Sequence, residues 1–409
     1  MKKKNLLLLC DNYPLSNGEF FIDDEMKIIA EKFNKIYILT NKPKNKQTNR
    51  SYPRNAELFF LTQNENFYSK LFSLRLLFTR KFLSELVTAL TKHKIKLSFI
   101  LFKVILNDLK KAIELKKTIE KITYNNANII LYSYWHDYKA LAISMITNSY
   151  PNITSISRAH RWDIYFEENE FPYLPFKKFI VENLTMTYSI SEDGKKTLIR
   201  TLDEKMSEKI QISKLGKSNN HQLNKSKVEN SIIICSCSSL TKVKRVNQII
   251  DILANLKSEN VTWYHFGDGP LKSEIIRSAD SNLTNCNFKL LGFVTNEEIL
   301  NFYAENYVDL FINVSESEGI PVSIMEAQSA GIPVFATNVG GNKEIVNNLN
   351  GCIFEKNFNP TDIANQIDDY LKTEMNEILL KRINSHKNWK ENYCAETNFN
   401  QFFNSLNAL

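Results

Sequence analysis

The sequence predicts an α/β protein made of two doubly wound domains, each with a parallel sheet flanked by helices. Short apolar runs rich in β-branched residues alternate with longer helical stretches, which is the pattern of βαβ units. The chain has 409 residues, too many for one ordinary core, so two domains of about 200 residues each are expected. A polar stretch rich in Asn and Lys at 217–231 interrupts the alternation and predicts the linker.

The apolar runs define the predicted strands in chain order. Those before the linker are 6–10, 36–40, 57–61, 129–134, 153–157, 179–181, 187–191 and 210–216, and those after it are 232–237, 262–267, 288–293, 310–315, 333–338 and 352–355. Domains are therefore predicted at 1–216 and 232–390, and the C-terminal helix at 391–409 is expected to pack back on the first domain. Ligands of doubly wound sheets bind beyond the carboxyl ends of the strands, so the cleft between the domains is the predicted site.

Composition and local patterns exclude several classes of protein. A hydrophobic content of 43% with 24% charged residues is typical of a globular chain. The longest apolar candidate for a membrane span, 99–106, is short and contains Lys103. The start, MKKKNLLLLC, has too short an apolar stretch for a secretion signal and is predicted to be a buried strand. Six scattered cysteines predict reduced thiols in a cytoplasmic protein and no metal site.

One segment stands apart from the alternation, a predicted helical insertion at 67–122 rich in Leu, Phe, Ile and Lys. Between 67 and 105 it carries eight Lys or Arg residues against one acid, Glu85, an excess as large as the net charge of +7 of the whole chain. A basic helix with an apolar face favours peripheral contact with an anionic membrane, and a solvated cationic face on core helices is the alternative. No nucleic-acid partner is expected, because no recognition motif is present.

The stretch SESEGIPVSIMEAQSAGIPVFATNVGG, 315–341, gives the strongest indication of a functional site in the sequence. Glu318 and Glu326 flank the start of a predicted helix near Pro321, and a helix start offers N–H groups and a positive dipole end to phosphate. Carboxylates beside a phosphate repel it unless they face hydroxyl groups. The pattern therefore indicates a diphosphate between two sugars, with Glu318 on a hexose and Glu326 on a ribose. Two unrelated surface acids are the alternative that the spacing alone leaves open.

Continued to Val346, this stretch resembles the E-x7-E signature of family 4 glycosyltransferases, which are retaining enzymes of the two-domain GT-B fold. Four further segments are similar to the family's in order and spacing: DNYPLSNGEFFIDDEM (11–26), SRAHRWDIYFEE (157–168), FGDGPLKSEI (266–275) and LLGFVTNEEILNFYAENYVDLFINVS (290–315). The resemblance covers nearly the whole chain apart from the insertion. It implies a GT-B fold and a retaining hexosyltransferase that needs no metal or other cofactor.

The resemblance also implies roles for single residues. His160 and Glu318 would act at the transferred sugar as catalytic residues. The donor would be held by Gly18, Ser239, Lys244, Arg245, Gly319, Ile320, Val322, Ser323 and Glu326, and its base would lie near Gly292, Phe293 and Val294. His136, Trp135 and Glu19 are candidates for contact with the acceptor.

The chain departs from the family pattern at two places. Where the family has Arg followed five residues later by Lys, this chain has Ser239 and Lys244, so Lys244 is expected to bind the diphosphate, with Arg245 or Lys242 as a second cation. Pro321 replaces a common glycine and removes one N–H donor. No Asp-x-Asp pair that would carry a metal ion to a diphosphate is evident in the sequence.

The sequence thus predicts an enzyme that moves a hexose or N-acetylhexosamine from a nucleotide sugar, preferably UDP-linked, to a lipid-linked or polysaccharide acceptor. It would serve capsule or lipopolysaccharide synthesis at the inner face of the cell membrane, by front-face attack in which the leaving phosphate helps deprotonate the acceptor. The alternatives are an epimerase or a phosphorylase of the same fold, and a non-catalytic membrane-binding relative. A dehydrogenase is disfavoured, because no G-x-G-x-x-G follows a predicted strand.

Overall fold

The chain forms two compact units. The structure, a computed structural model, describes residues 3–15, 18–43, 50–61, 74–123, 128–221, 223, 227, 231–407 and 409. Unit 1 runs to Ser213 and takes in Phe399–Leu409, and unit 2 is Lys214–Asn398. Of the predicted linker, residues 222, 224–226 and 228–230 lie outside the described part of the chain, as do residues 67–73 of the predicted insertion, with Lys70.

Within the described ranges, unit 1 contains a seven-stranded parallel sheet. Its strands are β1 (Asn5–Leu9), β2 (Ile36–Asn41), β3 (Ala56–Leu61), β4 (Ile129–Ser133), β5 (Thr154–Ala159), β6 (Met186–Ser189) and β7 (Ile210–Ile212), in the order β3-β2-β1-β4-β5-β6-β7. The four leucines of β1 are fully buried. A central strand of a parallel sheet is covered on both faces, which explains their uninterrupted run.

Helices cover this sheet and form the insertion. In unit 1 they are α1 (Phe21–Ile29), α2 (Arg80–Thr91), α3 (Phe99–Thr123), α4 (Tyr138–Ser149), α5 (Lys177–Asn183) and α6 (Glu192–Leu202). The part of the insertion that the structure describes contains α2 and α3, and Thr79 caps α2 by accepting a hydrogen bond from Phe82 N. Along α3, Leu101, Ile105 and Leu109 recur every four residues and are buried, so this helix belongs to the core of unit 1 on one face.

One predicted strand is wrong. The run at 179–181 lies inside α5, where Ile180 and Val181 are buried. Three consecutive apolar residues fit either a buried strand or the buried side of a short helix, so the run alone did not distinguish them. The other strand predictions agree with observed strands to within a few residues at their ends.

Unit 2 contains a six-stranded parallel sheet among the described residues, in the order β10-β9-β8-β11-β12-β13. Its strands are β8 (Ile232–Cys237), β9 (Val261–Phe266), β10 (Asn287–Leu290), β11 (Leu310–Asn313), β12 (Val334–Thr337) and β13 (Gly351–Phe354). The helices are α7 (Val246–Ala254), α8 (Lys272–Asn282), α9 (Asn296–Glu305), α10 (Val322–Ser329), α11 (Asn342–Ile345), α12 (Pro360–Leu371) and α13 (Met375–Asn392). The last helix, α14 (Ala395–Asn407), begins in unit 2, and its residues from Phe399 onward belong to unit 1. The prediction of two doubly wound α/β domains is confirmed.

Both sheets change direction beside their first strand. In unit 2 the chain runs from β8 outward through β9 to β10, and then returns to place β11 on the other side of β8. In unit 1, β1 lies between β2 and β4 in the same way. The loops that leave such neighbouring strands diverge at their carboxyl ends, and this switch point is where doubly wound sheets bind ligands.

The last helix, α14, completes the core of unit 1. Phe402 packs against the rings of Tyr132 and Tyr188, with centroids 5.6 Å and 5.1 Å away. It also lies under the guanidinium of Arg158, which is fully buried and ion-paired with Glu25. No helix in the described part of the chain has the length and apolarity needed to cross a bilayer.

Candidate functional site

The switch point of unit 2 brings a lysine against a glutamate. A short turn, Lys242–Lys244, follows β8, and a loop that leads from β11 to α10 carries Glu318. Lys244 Nζ lies 2.5 Å from Oε1 of Glu318. The two loops are also tied by their backbones, because Glu316 N donates to Val243 O at 2.7 Å. Two residues that the sequence predicted for one site are therefore in contact.

The carboxylate of Glu318 is buried and well supplied with donors. Besides Lys244, Ser315 Oγ and Asn313 Nδ2 donate to Oε1 at 2.6 Å and 3.3 Å. Burial by itself raises the pKa of a carboxyl group, but the Lys244 ammonium and these hydrogen bonds outweigh it, and the pKa of Glu318 is lowered from its ordinary value. Glu318 is therefore ionised at neutral pH and is suited to accept hydrogen bonds from hydroxyl groups.

α10 begins directly after this loop, with Pro321 as its N-cap. Among the described residues no side chain caps the helix, so the first N–H groups, those of Val322 and Ser323, have no side-chain acceptor. Uncapped N–H groups together with the helix dipole favour an anion such as phosphate. Pro321 brings no N–H of its own, as the sequence predicted.

Glu326 is the fifth residue of α10 and is 2% exposed. Asn296, the first residue of α9, donates from Nδ2 to Oε1 of Glu326, and Lys217 Nζ lies 3.6 Å from the same oxygen. Asn296 comes two residues after the predicted base-binding segment at 292–294, so Glu326 is linked to that segment through the start of α9. Sequence reasoning identified neither Asn296 nor Lys217.

Gly340 and Gly341 lie directly against the Glu318 loop. Gly340 has a φ of +48°, and a Cβ atom there would lie 1.8 Å from the carbonyl oxygen of Glu318. Gly341 N donates to Gly319 O at 2.8 Å. Because neither glycine has a side chain, the loop after β12 can pack directly against the backbone of the Glu318 loop.

The other predicted cations have different surroundings. The Arg245 guanidinium donates to the backbone oxygens of Val314, at 2.8 Å, and Lys356, at 3.0 Å. Lys242 and Ser239 are exposed. Lys244 is therefore the predicted cation that the structure pairs with Glu318, while Arg245 binds the backbone directly after β11.

The predicted base segment follows β10. Gly292 is buried and its carbonyl accepts a hydrogen bond from Gly267 N at 2.8 Å, whereas Phe293 is 51% exposed and Val294 is half-buried. Gly267 has a φ of +142°, and a Cβ there would lie 1.9 Å from Ser238 O, in the loop after β8. The Gly-rich segment after β9 thus sets the position of the loop that leads to Lys244.

In unit 1, His160 follows β5 and lies among aromatic rings. Its ring centroid is 4.5 Å from that of Trp135, 5.1 Å from Tyr134 and 6.1 Å from Phe21. Burial, and then the charge of Arg158, lowers the pKa of His160 well below its ordinary value, so the imidazole is neutral. Among the described residues neither ring nitrogen has a hydrogen-bond partner. Such buried groups are rare, and a polar ligand would satisfy them.

Glu19 holds the loop after β1. Its carboxylate accepts backbone N–H groups of Asp11, Asn12 and Tyr13 at 2.9, 2.5 and 2.7 Å, and the indole N–H of Trp135 at 2.5 Å. Four donors occupy this carboxylate, so in this structure Glu19 fixes the loop and orients Trp135. Gly18, beside it, has a φ of +138°, a conformation that favours glycine.

His136 is fully buried, so its side chain offers no surface to an acceptor in this conformation. Its backbone N–H and that of His160 donate to the two oxygens of Asp163, at 2.6 Å and 2.7 Å. Asp163 is also fully buried, and burial raises its pKa to about 7 although nearby Lys177 opposes the rise. Asp163 therefore joins the loops after β4 and β5, a role that the sequence did not reveal.

Comparison with known proteins finds several glycosyltransferases that are similar to this chain. Residues 218–393 match the family described as Glycosyl transferases group 1. The Escherichia coli O-antigen biosynthesis glycosyltransferase WbnH is 26% identical over 217 residues, which are 51% of this chain and 58% of WbnH. The amylovoran biosynthesis glycosyltransferase AmsK of Erwinia amylovora is 32% identical over 130 residues, 29% of this chain and 31% of AmsK. The chain thus spans little more than half the length of WbnH and about a third of AmsK.

The solved structure of Anabaena HepE in complex with UDP and glucose matches 99% of this chain and 100% of HepE, with a TM-score of 0.67 and 14% identity. The lipopolysaccharide outer core galactosyltransferase WaaB matches 98% of this chain and 99% of its own, with a TM-score of 0.67 and 13% identity. At this level of identity the likeness shows the fold. The predicted GT-B fold is confirmed.

Proposed function

We propose that this protein is a glycosyltransferase that moves a hexose or N-acetylhexosamine from a nucleotide sugar to a glycan acceptor in cell-surface glycan synthesis. The observation that carries the proposal is the contact of Lys244 with Glu318 at the switch point of unit 2, beside the uncapped start of α10. A cation, N–H donors and an ionised carboxylate side by side are the groups that would bind a diphosphate and a sugar, which supports the proposal. The similarity to WbnH and AmsK supports the same class of reaction.

The donor is proposed to be UDP-linked. Glu326, held by Asn296 and Lys217, would accept hydrogen bonds from the ribose hydroxyls, and the segment at 292–294 would lie against the base. HepE was solved with UDP bound, and its likeness over nearly the whole chain supports this choice of nucleotide.

The proposed chemistry uses residues of this chain alone. As the bond between the anomeric carbon and the leaving phosphate oxygen breaks, negative charge grows on the diphosphate, and Lys244 with the α10 amides would stabilise it. The acceptor oxygen would bond to the anomeric carbon from the same face, and its proton would pass to the leaving phosphate oxygen. His160 would bind the donor sugar through its unpaired ring nitrogens. This route retains the anomeric configuration, which NMR of the product would show directly.

The reaction is proposed to need no metal ion. The charge of the diphosphate would be met by Lys244 and by backbone N–H groups instead. Activity that EDTA abolishes would contradict this assignment.

Titration calorimetry in EDTA tests the donor site. Wild-type protein is expected to bind one UDP more tightly than GDP, and Glu326→Ala is expected to lower UDP affinity about tenfold or more, because hydrogen bonds to a charged group contribute about 1.5–3 kcal/mol. Glu305→Ala removes an exposed acid at the far end of α9 and should bind as the wild type does.

Three results would count against the assignment. Absence of binding by either nucleotide contradicts the UDP donor, and equal loss in Glu305→Ala would show a general effect of removing an acid. Undiminished binding by Glu326→Ala, or by the more conservative Glu326→Gln, would remove the ribose from Glu326. Circular dichroism of each variant identifies any that fail to fold.

We also propose that the insertion brings the enzyme to an anionic membrane surface, where a lipid-linked acceptor would lie. Phe78 and Phe99 are each 83% exposed, and five more large apolar side chains between 74 and 100 are exposed: Leu74, Leu83, Val87, Leu97 and Ile100. Exposed basic residues surround them in sequence: Arg75, Arg80, Lys81, Lys92, Lys94, Lys96 and Lys103. Exposed apolar groups flanked by cations are suited to the interface of an anionic bilayer.

Sedimentation with vesicles tests this contact. The full chain is expected to bind vesicles that contain phosphatidylglycerol and not vesicles of phosphatidylcholine alone, and Phe78→Ser with Phe99→Ser should weaken binding about tenfold or more through lost apolar contact. Leu349→Ser, a change at another exposed apolar residue in unit 2, is the control. Binding that ignores lipid charge, or that the Phe78/Phe99 variant retains, would contradict the proposal.

A further inference from the structure

The helix α13 carries apolar side chains on two opposite faces. One face packs on unit 2, where Ile378 and Trp389 are buried and the buried Arg382 donates to the carbonyl oxygen of Val308 at 2.6 Å. A surface helix of a globular protein usually presents polar residues on its other face. The other face of α13 instead exposes four large apolar side chains: Met375, Leu379, Leu380 and Ile383.

These exposed residues form one continuous stripe. Met375, Leu379 and Ile383 follow one another at intervals of four residues, which places them along one ridge of the helix, and Leu380 lies beside them. Met375 is 53% exposed and Leu380 is 58% exposed. Ridges with this spacing are the surfaces through which helices pack against one another. A contiguous exposed apolar surface therefore indicates a site of interaction on α13.

The charges of α13 distinguish between possible partners. The helix and its N-cap expose five charged residues: Glu374, Glu377, Lys387, Lys390 and Glu391. Half-buried Lys381 donates to the carbonyl oxygen of Asn348 at 2.6 Å and brings the balance to three acids against three bases. The acids would be repelled by an anionic membrane, so this face differs from the strongly basic insertion.

The order of these charges is antisymmetric about position 382. Glu374 and Lys390 lie eight positions on either side of it, and Glu377 and Lys387 lie five positions on either side. When two copies of a helix pack antiparallel about a two-fold axis, each residue faces the residue of the other copy that is equally far beyond the centre. Each of these acids would therefore face a lysine of the second copy, and each pair would occur twice.

The same arrangement covers the apolar stripe. Leu379, Leu380 and Ile383 lie within three positions of the centre, so they would pack against the same three residues of the second copy. Glu391, the remaining exposed acid, would face Thr373, which carries no charge. An isologous interface has to match itself, so this pattern favours a second copy of the chain over an unrelated protein.

We propose that α13 is the interface of a two-fold symmetric dimer of this protein, in which the two helices pack antiparallel and Glu377 pairs with Lys387 of the partner subunit. At 1.5 Å per residue α13 is about 27 Å long. One such helix pair buries less than the roughly 800 Å² per partner of a standard interface, so an affinity in the micromolar range is expected. The inference concerns assembly and does not depend on the proposed function.

Sedimentation equilibrium of the full chain between about 1 and 100 µM tests the interface. The wild type is expected to change from monomer to dimer over this range. Leu380→Ser with Ile383→Ser should weaken association about 100-fold or more, because each copy loses two apolar contacts. Ile276→Ser changes an exposed apolar residue on α8 and should dimerise as the wild type does. Circular dichroism of each variant shows whether it folds.

Charge reversal tests the pairing itself. Glu377→Lys alone brings two lysines together at both ends of the dimer, and Lys387→Glu alone brings two glutamates together. Each variant should therefore self-associate about tenfold more weakly than the wild type. A mixture of the two variants restores pairs of opposite charge at both ends, so it should form a heterodimer that is tighter than either variant's own dimer. High salt should reduce these differences.

The possible outcomes separate the dimer from other uses of this face. A chain that stays monomeric at all these concentrations, or a dimer that Leu380→Ser with Ile383→Ser leaves intact, would overturn the proposal. A mixture of the charge-reversed variants that associates no better than each alone would exclude the antiparallel pairing. If the apolar double variant loses binding to vesicles that contain phosphatidylglycerol while its self-association is unchanged, the face contacts a membrane and the proposal fails.

Discussion

Replacing Lys244 with alanine is expected to lower the rate of sugar transfer by about 100-fold to 1,000-fold, the usual cost of removing one preorganised donor from a developing negative charge. Lys244 is the cation that the structure pairs with Glu318, at 2.5 Å. Its ammonium would stabilise the departing diphosphate together with the first N–H groups of α10, which no side chain among the described residues caps. Release of UDP from a UDP-hexose by slow hydrolysis measures this loss without knowledge of the acceptor.

The same substitution should have a pH-dependent effect on stability. In the wild type the pKa of Glu318 is lowered, so its ion pair stabilises the fold above the unfolded-state pKa of about 4.3, and this contribution is lost as the pH falls through the folded-state pKa. Without Lys244, burial remains the largest influence and the pKa should rise. The variant should therefore be less stable than the wild type by about 1–3 kcal/mol at pH 7.5, and the gap should close towards pH 4.

Lys242→Ala is the matched control for Lys244→Ala. Lys242 lies two positions earlier in the same short turn, but its side chain is exposed, so both the UDP release rate and the thermal stability should stay near the wild type. The double variant Lys244→Ala with Glu318→Gln should recover part of the lost stability at pH 7.5, because it removes the unpaired buried charge. Equal rates for Lys242→Ala and Lys244→Ala would contradict the assigned role.

The fold could be read from the sequence because its strands are short and strongly apolar. In a chain where apolar runs alternate with helical stretches, a short run such as Leu6–Leu9 is expected to be a strand that is buried on both faces, and these leucines are buried. The strand predicted at 179–181 was wrong, because three consecutive apolar residues also fit a short helix, and they lie in α5. The insertion was recognised as helical, but its division into α2 and α3 was not foreseen.

The candidate site was predicted where local sequence determines it. Glu318, the helix start at Pro321 and Glu326 fall within one short stretch, and Lys244 was predicted from the resemblance to the family's pattern of Arg followed five residues later by Lys. Partners contributed by distant elements were missed, since no local pattern marks them: Asn296 and Lys217 beside Glu326, Ser315 and Asn313 beside Glu318, and Asp163 beneath His160. Arg245 was predicted as a possible second cation for the diphosphate. In the folded chain its guanidinium donates to backbone carbonyls that are distant in sequence, and no local pattern marks these contacts.

Gly340→Ala should disable the donor site although residue 340 has no side chain that could contact the donor. The backbone there has a φ of +48°, which costs a residue with a Cβ about 1–2 kcal/mol. The new Cβ would also lie 1.8 Å from the carbonyl oxygen of Glu318, so the backbone of the Glu318 loop would have to move. Because Gly341 N also donates to Gly319 O, that movement would disturb the turn that precedes α10. We expect UDP affinity to fall about 100-fold or more.

Gly331→Ala tests whether backbone strain alone would account for the loss of UDP affinity expected in Gly340→Ala. Gly331 follows the other end of α10 with a φ of +69°, so alanine there meets a similar conformational cost. The nearest atom to its Cβ, at 2.9 Å, is the end of the Leu223 side chain, which can rotate away, and the nearest backbone atom is Arg382 O at 3.2 Å, whereas at Gly340 a backbone oxygen lies at 1.8 Å. Gly331→Ala should therefore lose about 1–2 kcal/mol of stability while it binds UDP nearly as the wild type does. If both variants bind equally well, or lose affinity equally, the position of the Glu318 backbone does not control donor binding.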